Sequence, residues 1–190
     1  MTYRNGTYIA FDGRDTTNPL ESDIKYFNLL KAWKEKDDEF TFSDSHKKTY
    51  QVRDTSTKET LKRRLYERLK NSKNMILILS EKTRNDREML SYEIKKAIEL
   101  GMPIIICYAE IGYGFQNIDG LNKYWPISLS AGIYGGAIKC IHIPFRKEPI
   151  LDAISRFSIH ETNTLGPYSC YRKEVYNYWG ISNVTDNLLG

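Results

Sequence analysis

Apolar and polar positions along this chain fall into blocks that switch between two periods. Thr7-Tyr8-Ile9-Ala10-Phe11 is a short apolar run closed by the turn pair Asp12-Gly13, and it predicts a first strand. From Glu21 to Lys36, Ile24, Phe27, Leu30 and Trp33 take up helical spacing. Glu39-Phe40-Thr41-Phe42 reads as a short second strand, followed by a polar loop from Ser43 to Thr55. Ser56-Thr57-Lys58-Glu59 has the form of a capping box, with Ser56 as the cap. The helix it opens carries Leu61, Leu65, Tyr66 and Leu69 on one stripe. Asn74 to Leu79 is apolar nearly throughout, the pattern of a central parallel strand covered on both faces. Asn85 with Glu88 suggests another capped start, for a helix whose stripe is Leu90, Ile94, Ala97 and Ile98 and whose stop is Gly101-Met102-Pro103. Strands are predicted at Pro103–Tyr108 and Ala137–Ile143, and Pro149 opens a last helix carrying Ile150, Leu151, Ile154 and Phe157.

Strand and helix in alternation mark βαβ units and a parallel sheet, so the predicted class is α/β. Residues 109–136 break the rhythm. This stretch contains Gly112-Tyr113-Gly114 and Tyr134-Gly135-Gly136, with one helical turn expected near Leu121 to Tyr124. A connection this long in a compact domain is usually functional. The domain itself is expected to span residues 1–160. Residues 161–190 read as a C-terminal aromatic extension packed on it, with Tyr168, Tyr171, Tyr176, Tyr178 and Trp179 as docking anchors.

Composition narrows the class without choosing a function. The chain has 190 residues, room for one substantial core, and its 41% apolar and 27% charged content is that of a globular protein. The longest apolar run, Ile104 to Ala109, is strand-sized and far short of the roughly 20 residues that cross a bilayer. No signal peptide is read at the N-terminus, so a cytoplasmic location without membrane attachment is expected. Cys107, Cys140 and Cys170 match neither a zinc spacing nor a disulfide framework and are expected to be reduced. The net charge of +4 gives mild attraction to polyanions.

Several familiar sites are absent from the sequence: GxGxxG after the first strand, GxxxxGK[ST], GxSxG and HExxH. Gly112-Tyr113-Gly114 opens no helix and is weak as a phosphate loop. His46, His142 and His160 are scattered, and no metal site is predicted. Lys58, Lys62, Arg63, Arg64, Arg68 and Lys70 make one helix basic. Glu59 and Glu67 interrupt that face and no aromatics interleave, so a solvated face is the reading and nucleic acid is not expected as a partner. Ligands of open α/β sheets bind beyond the carboxyl ends of the strands. Those ends supply Phe11-Asp12-Gly13, Ser43-Asp44-Ser45-His46 and Ser80-Glu81. Glu93 lies beside the buried stripe of its helix. Spacing leaves two readings open: a partly desolvated acid aimed into a cleft, or a solvated acid balanced by Lys96.

The order of these pieces resembles the TIR-like family, in the branch of the Thoeris antiphage TIR proteins. The resemblance rests on Tyr8-Ile9-Ala10-Phe11-Asp12, Phe42-Ser43-Asp44-Ser45, Ile76 to Thr83 running on to Tyr92-Glu93-Ile94-Lys95-Lys96-Ala97-Ile98, and Gly101-Met102-Pro103-Ile104-Ile105. It covers about residues 7 to 110. It implies a flavodoxin-like, doubly wound sheet of five parallel strands, and cleavage of NAD at the nicotinamide–ribose bond with NAD as substrate and no cofactor. The family's catalytic glutamate falls at Glu93. Met89 stands four residues earlier, where an aromatic is common. From their strand-end positions, Phe11 would stack on a ring, the amides around Asp12 and Gly13 would approach phosphate, and Asp44 and Ser45 would orient ribose. The resemblance further implies homo-oligomers and a cyclic ADP-ribose-type product, a diffusible nucleotide signal read by a separate effector protein. The alternatives are a non-catalytic TIR-like interaction module and a nucleotide sensor that leaves its ligand intact.

Overall fold

Four isoleucines, Ile9, Ile76, Ile105 and Ile141, stand side by side across four strands and show how the chain builds its sheet. The computed structural model describes residues 4–13, 18, 22–37, 57–85, 87–161 and 164–181. Within them, β1 (Gly6–Ala10), β2 (Ser72–Leu79), β3 (Ile104–Tyr108), β4 (Cys140–Pro144) and β5 (Ser169–Cys170) form an all-parallel sheet in sequential order. Side chains alternate across a strand, so the neighbouring rows Tyr8–Met75–Ile104–Cys140 and Ala10–Leu77–Ile106–His142 face the other way. Helices cover both faces, which is why the strands read as continuous apolar runs. α1 (Ile24–Lys36), α5 (Lys147–Arg156) and α6 (Lys173–Tyr178) pack on the isoleucine face through Phe27, Leu30, Ile150, Ile154 and Tyr176. α2 (Lys58–Lys70), α3 (Glu88–Glu99) and α4 (Ile127–Tyr134) cover the opposite face through Leu65, Leu69, Leu90, Ile94, Leu129 and Ile133. The predicted doubly wound, flavodoxin-like α/β fold is the one observed.

The five strands differ in one member from those predicted. The strand expected at residues 39–42 lies outside the described residues. The fifth described strand is Ser169–Cys170, inside the stretch read as a tail, where it pairs with Ile141 and His142. Two half-buried residues carry no periodicity to detect. The connection at 109–136 forms the expected turn at Leu121–Tyr124, a 3-10 helix, and then α4, which was not predicted. Ser128, Ser130 and Gly132 interrupt the apolar stripe of α4 and hide its helical period. Two predicted caps also differ. Thr57 caps α2, accepting from the amide of Thr60 at 3.3 Å, and Ser56 lies outside the described residues. α3 starts at Glu88 behind Arg87, a donor-only side chain that cannot cap it, and the Glu88 carboxylate pairs with Lys58 and Lys62.

The C-terminal aromatics divide into two groups. Tyr171 and Tyr176 are buried, and Trp179 meets both edge-on, at 5.0 and 6.0 Å between ring centres. Tyr168 and Tyr178 are exposed and anchor nothing. Gly114 explains the close approach of this segment. A Cβ at that position would stand 2.6 Å from Cγ of Tyr176, so the second glycine of the Gly-Tyr-Gly pattern serves packing here. No helix among the described residues is long and apolar enough to cross a membrane.

Candidate active site

The carboxyl end of β1 and the first turns of α2 and α3 enclose a cleft of about 540 Å³. Its position follows from the winding. α2 runs into β2 and α3 runs out of it, so both helices present their N-termini at the carboxyl edge of the sheet. Unsatisfied amides at a helix N-terminus carry partial positive charge. Lys58 and Leu61 enter the lining from α2, and Glu88, Met89, Leu90 and Glu93 from α3. Phe11, Asp12 and Gly13 complete it from the end of β1.

Glu93 is buried, 6% exposed, on the core side of α3 rather than at its border. The Tyr8 hydroxyl, itself fully buried on β1, donates to Glu93 Oε1. Burial raises the Glu93 carboxyl to about 7, and the Tyr8 hydrogen bond opposes that rise. Burial first, and then the adjacent Glu93 charge, push the Tyr8 phenol well above its ordinary value, so it stays a donor. Lys96 does not balance Glu93; it pairs with Glu99 at 2.5 Å. Of the two readings that spacing leaves open, the structure takes the desolvated acid facing a cleft.

The floor of the cleft is tied by a buried network. Asp23 accepts at Oδ2 from the hydroxyls of Ser80, at 3.0 Å, and Thr83, at 3.1 Å. Its amide donates to the carbonyl of Asp12 at 3.2 Å. This locks the exit of β1 to the exit of β2 and sets where Asp12 and Gly13 stand. Asp12 is 2% exposed, and Arg87 Nε lies 3.3 Å from its Oδ1. Phe11 stacks on Phe27 with ring centres 5.2 Å apart, which fixes the ring at the cleft wall. A Cβ at Gly13 would meet nothing within 4 Å, so the backbone there is open to approach. Lys58 and Lys62 grip Glu88 at 2.9 and 2.7 Å and hold its carboxyl down to about 2.

Residues 8–111 match the family model for the Thoeris protein ThsB, TIR-like domain. The chain belongs to the Thoeris ThsB TIR-like family. More than half of the sequence lies in that match, and every described lining residue of the cleft falls within it.

Five of the seven residues singled out from the sequence, Phe11, Asp12, Gly13, Met89 and Glu93, thus come together in one cleft of this ThsB TIR-like domain. Asp44 and Ser45 lie outside the described residues. Sequence reasoning did not single out Lys58, Leu61 or Arg87 as lining, nor Tyr8 and Asp23 as supports. Tyr8 gave no signal because a tyrosine in an apolar strand reads as core. Lys58 was visible only as one charge of a basic face. The capping pattern beside it could have placed that charge at a helix N-terminus, and so at the ligand edge of a ThsB TIR-like sheet.

Proposed function

We propose that this ThsB TIR-like domain consumes NAD, breaking the bond between nicotinamide and ribose, with Glu93 as the catalytic carboxylate. The observation that carries the reading is a buried acid, raised to about 7 and oriented by a tyrosine, in the wall of a cleft of about 540 Å³. Such a volume lies within the range of ligand pockets. In the reaction the C–N bond breaks with its electron pair passing to the nicotinamide ring nitrogen. Nicotinamide leaves neutral, needing no general acid, and positive charge develops on the ribose carbon. An ionised Glu93 stabilises that charge, and little water is present to screen it. A pKa near the working pH suits the same group to take the proton of the incoming acceptor.

The remainder of the cleft agrees with a dinucleotide. Lys58, Arg87 and the N-termini of α2 and α3 offer positive potential to a pyrophosphate. Phe11, in the lining, offers an aromatic contact to the dinucleotide, and the backbone at Gly13 leaves space for phosphate oxygens. Asp44 and Ser45 are kept as the ribose-orienting pair. Attack by water yields ADP-ribose, whereas attack from within the same nucleotide yields a cyclic form, favoured where water is excluded. The cyclic product fits a Thoeris role, in which the domain acts in the cytoplasm as a homo-oligomer and signals infection to a separate effector protein.

Following nicotinamide release from NAD, with and without lysate of phage-infected cells, tests the proposal. Wild type is expected to release nicotinamide in at least one of these conditions, and Glu93→Gln in neither. Equal release by the variant removes Glu93 from the reaction. Silence of both proteins in both conditions favours the interaction module.

A further inference from the structure

A second cleft, of about 380 Å³, lies at the opposite edge of the sheet from Glu93 and beyond the residues that match the ThsB family. We propose that it is a binding site for a neutral, planar heteroaromatic ring with a hydrogen-bonding edge, as in nicotinamide or the base of a nucleoside. The long connection supplies Gln116, Asp119, Asn122, Trp125 and Tyr134, and the C-terminal segment closes it with Tyr168.

The lining sets the class of ligand. Tyr134 and Tyr168 are large aromatic side chains left 66% and 56% exposed, and both border this cavity. Trp125 lies at its buried end, 6.0 Å from the ring of Tyr134 and tilted to it. Aromatic walls hold a flat ring by its faces. Amides such as those of Gln116 and Asn122 offer a donor and an acceptor side by side, the complement of an amide or amino-pyridine edge. Asn117 donates to Asp119 at 2.6 Å and so fixes the rim carboxylate. None of the described lining residues is a lysine or arginine, although the chain is basic overall. A phosphate would meet Asp119 and no counter-charge. The Glu93 cleft differs in holding two cations, Lys58 and Arg87, among its carboxylates.

Trp125 and the backbone that carries Tyr168 are also joined by one buried chain of hydrogen bonds. The Trp125 indole donates to Tyr108 Oη at 2.8 Å, and the Tyr108 hydroxyl donates to His142 Nδ1 at 2.7 Å. His142 therefore carries its proton on Nε2 and donates it to the carbonyl of Pro167 at 2.9 Å. Pro167 immediately precedes Tyr168. A chain running from one wall through the sheet to the base of the other sets their separation before any ligand arrives.

The test is calorimetric titration of the full chain with nicotinamide, adenosine, AMP and glucose. Saturable binding of nicotinamide or adenosine is expected, weakened about tenfold by Tyr134→Ala or Tyr168→Ala. Glu93→Gln and Lys58→Ala should leave that tyrosine-dependent component unchanged, and in it AMP should bind more weakly than adenosine. Binding of adenosine alone identifies a nucleoside base as the source, and of nicotinamide alone the free pyridine. Both tyrosines are exposed, so their loss does not threaten folding. No binding of either ring compound overturns the proposal. So does a titration that the tyrosine variants leave wholly unchanged, a tyrosine-dependent component lost with Glu93→Gln, AMP equal to adenosine in that component, or glucose as the only ligand. The site stands independently of the reaction proposed for Glu93, because its readout is binding and not turnover.

Discussion

Tyr8 on β1 and Glu93 on α3, 85 positions apart in sequence, share one buried hydrogen bond in the wall of the cleft. The bond stabilises the ionised carboxylate against the burial that raises it. Removing the hydroxyl leaves burial unopposed. Tyr8→Phe is therefore expected to move the Glu93 carboxyl above its present value of about 7. If the ionised form is the active one, the rising limb of a pH profile of nicotinamide release shifts to higher pH by about half a unit to one unit, with plateau activity largely retained. An unshifted limb with a lower plateau would assign Tyr8 to packing alone.

Two buried groups tilt stability in opposite directions. Glu93 is raised from 4.5 to about 7 in the folded chain, so between those values the native state holds the extra proton and stability falls as pH rises. His142 is lowered from 6.5 to about 4, chiefly by burial, so over that span the unfolded chain takes the proton and stability falls as pH drops. Each contribution is on the order of 3 kcal/mol at its full extent. Between about pH 4.5 and 6.5 the two slopes cancel. Glu93→Gln, whose amide oxygen can still accept from Tyr8, is expected to melt higher than wild type above pH 7. It should also lose stability toward acid more steeply, because the His142 slope is then uncompensated. Denaturant midpoints across pH 4 to 8 for the two proteins check this. Parallel curves would refute it.

How far the sequence could be read depended on whether a residue's partner was local. Strands such as Asn74–Leu79 and helices such as the one bearing Leu90, Ile94 and Ala97 announce themselves by period, because each needs only its own face to be apolar. β5 does not, since two residues joining the sheet at Ile141 and His142 owe their conformation to β4 rather than to any pattern of their own. In the site, Glu93 was legible as an acid beside a buried stripe, while its burial depended on Tyr8, which the sequence shows only as one more strand aromatic. Phe11, Asp12 and Gly13 were legible as the carboxyl end of a strand, and the TIR-like resemblance singled out Glu93 as the acid. The cleft between Trp125 and Tyr168 stayed hidden because its walls come from segments with no shared periodicity.

Lys58 is the first residue of α2 and stands at the rim of the Glu93 cleft, bonded to Glu88. Its charge adds to that of the helix N-terminus, which suits it to hold a pyrophosphate rather than to assist bond breaking. Lys58→Ala is expected to raise KM for NAD by about three- to tenfold with kcat nearly unchanged, an effect that shrinks as salt is added. Its pair with Glu88 is fully solvated, so melting should scarcely move. A fall in kcat with KM intact would place Lys58 at the chemistry instead.

Gly114 is the point where the long connection and α6 meet. A methyl group there would stand 2.6 Å from Cγ and 2.8 Å from Cδ2 of the Tyr176 ring, atoms close to the backbone of α6 and held in the core. Relief requires α6 to shift, not a side-chain tip to swing aside. Gly114→Ala is thus expected to cost about 1–3 kcal/mol, read as a lower denaturant midpoint. Gly132→Ala supplies the contrast. Its nearest neighbour is Ile98 Cδ1, also at 2.6 Å, but that atom ends a flexible chain on a half-buried residue and can rotate away. The gain in helix propensity within α4 then offsets much of the crowding, leaving a change near zero. If the two variants lose equal stability, the tight seat of Tyr176 against the connection is not what holds α6 in place.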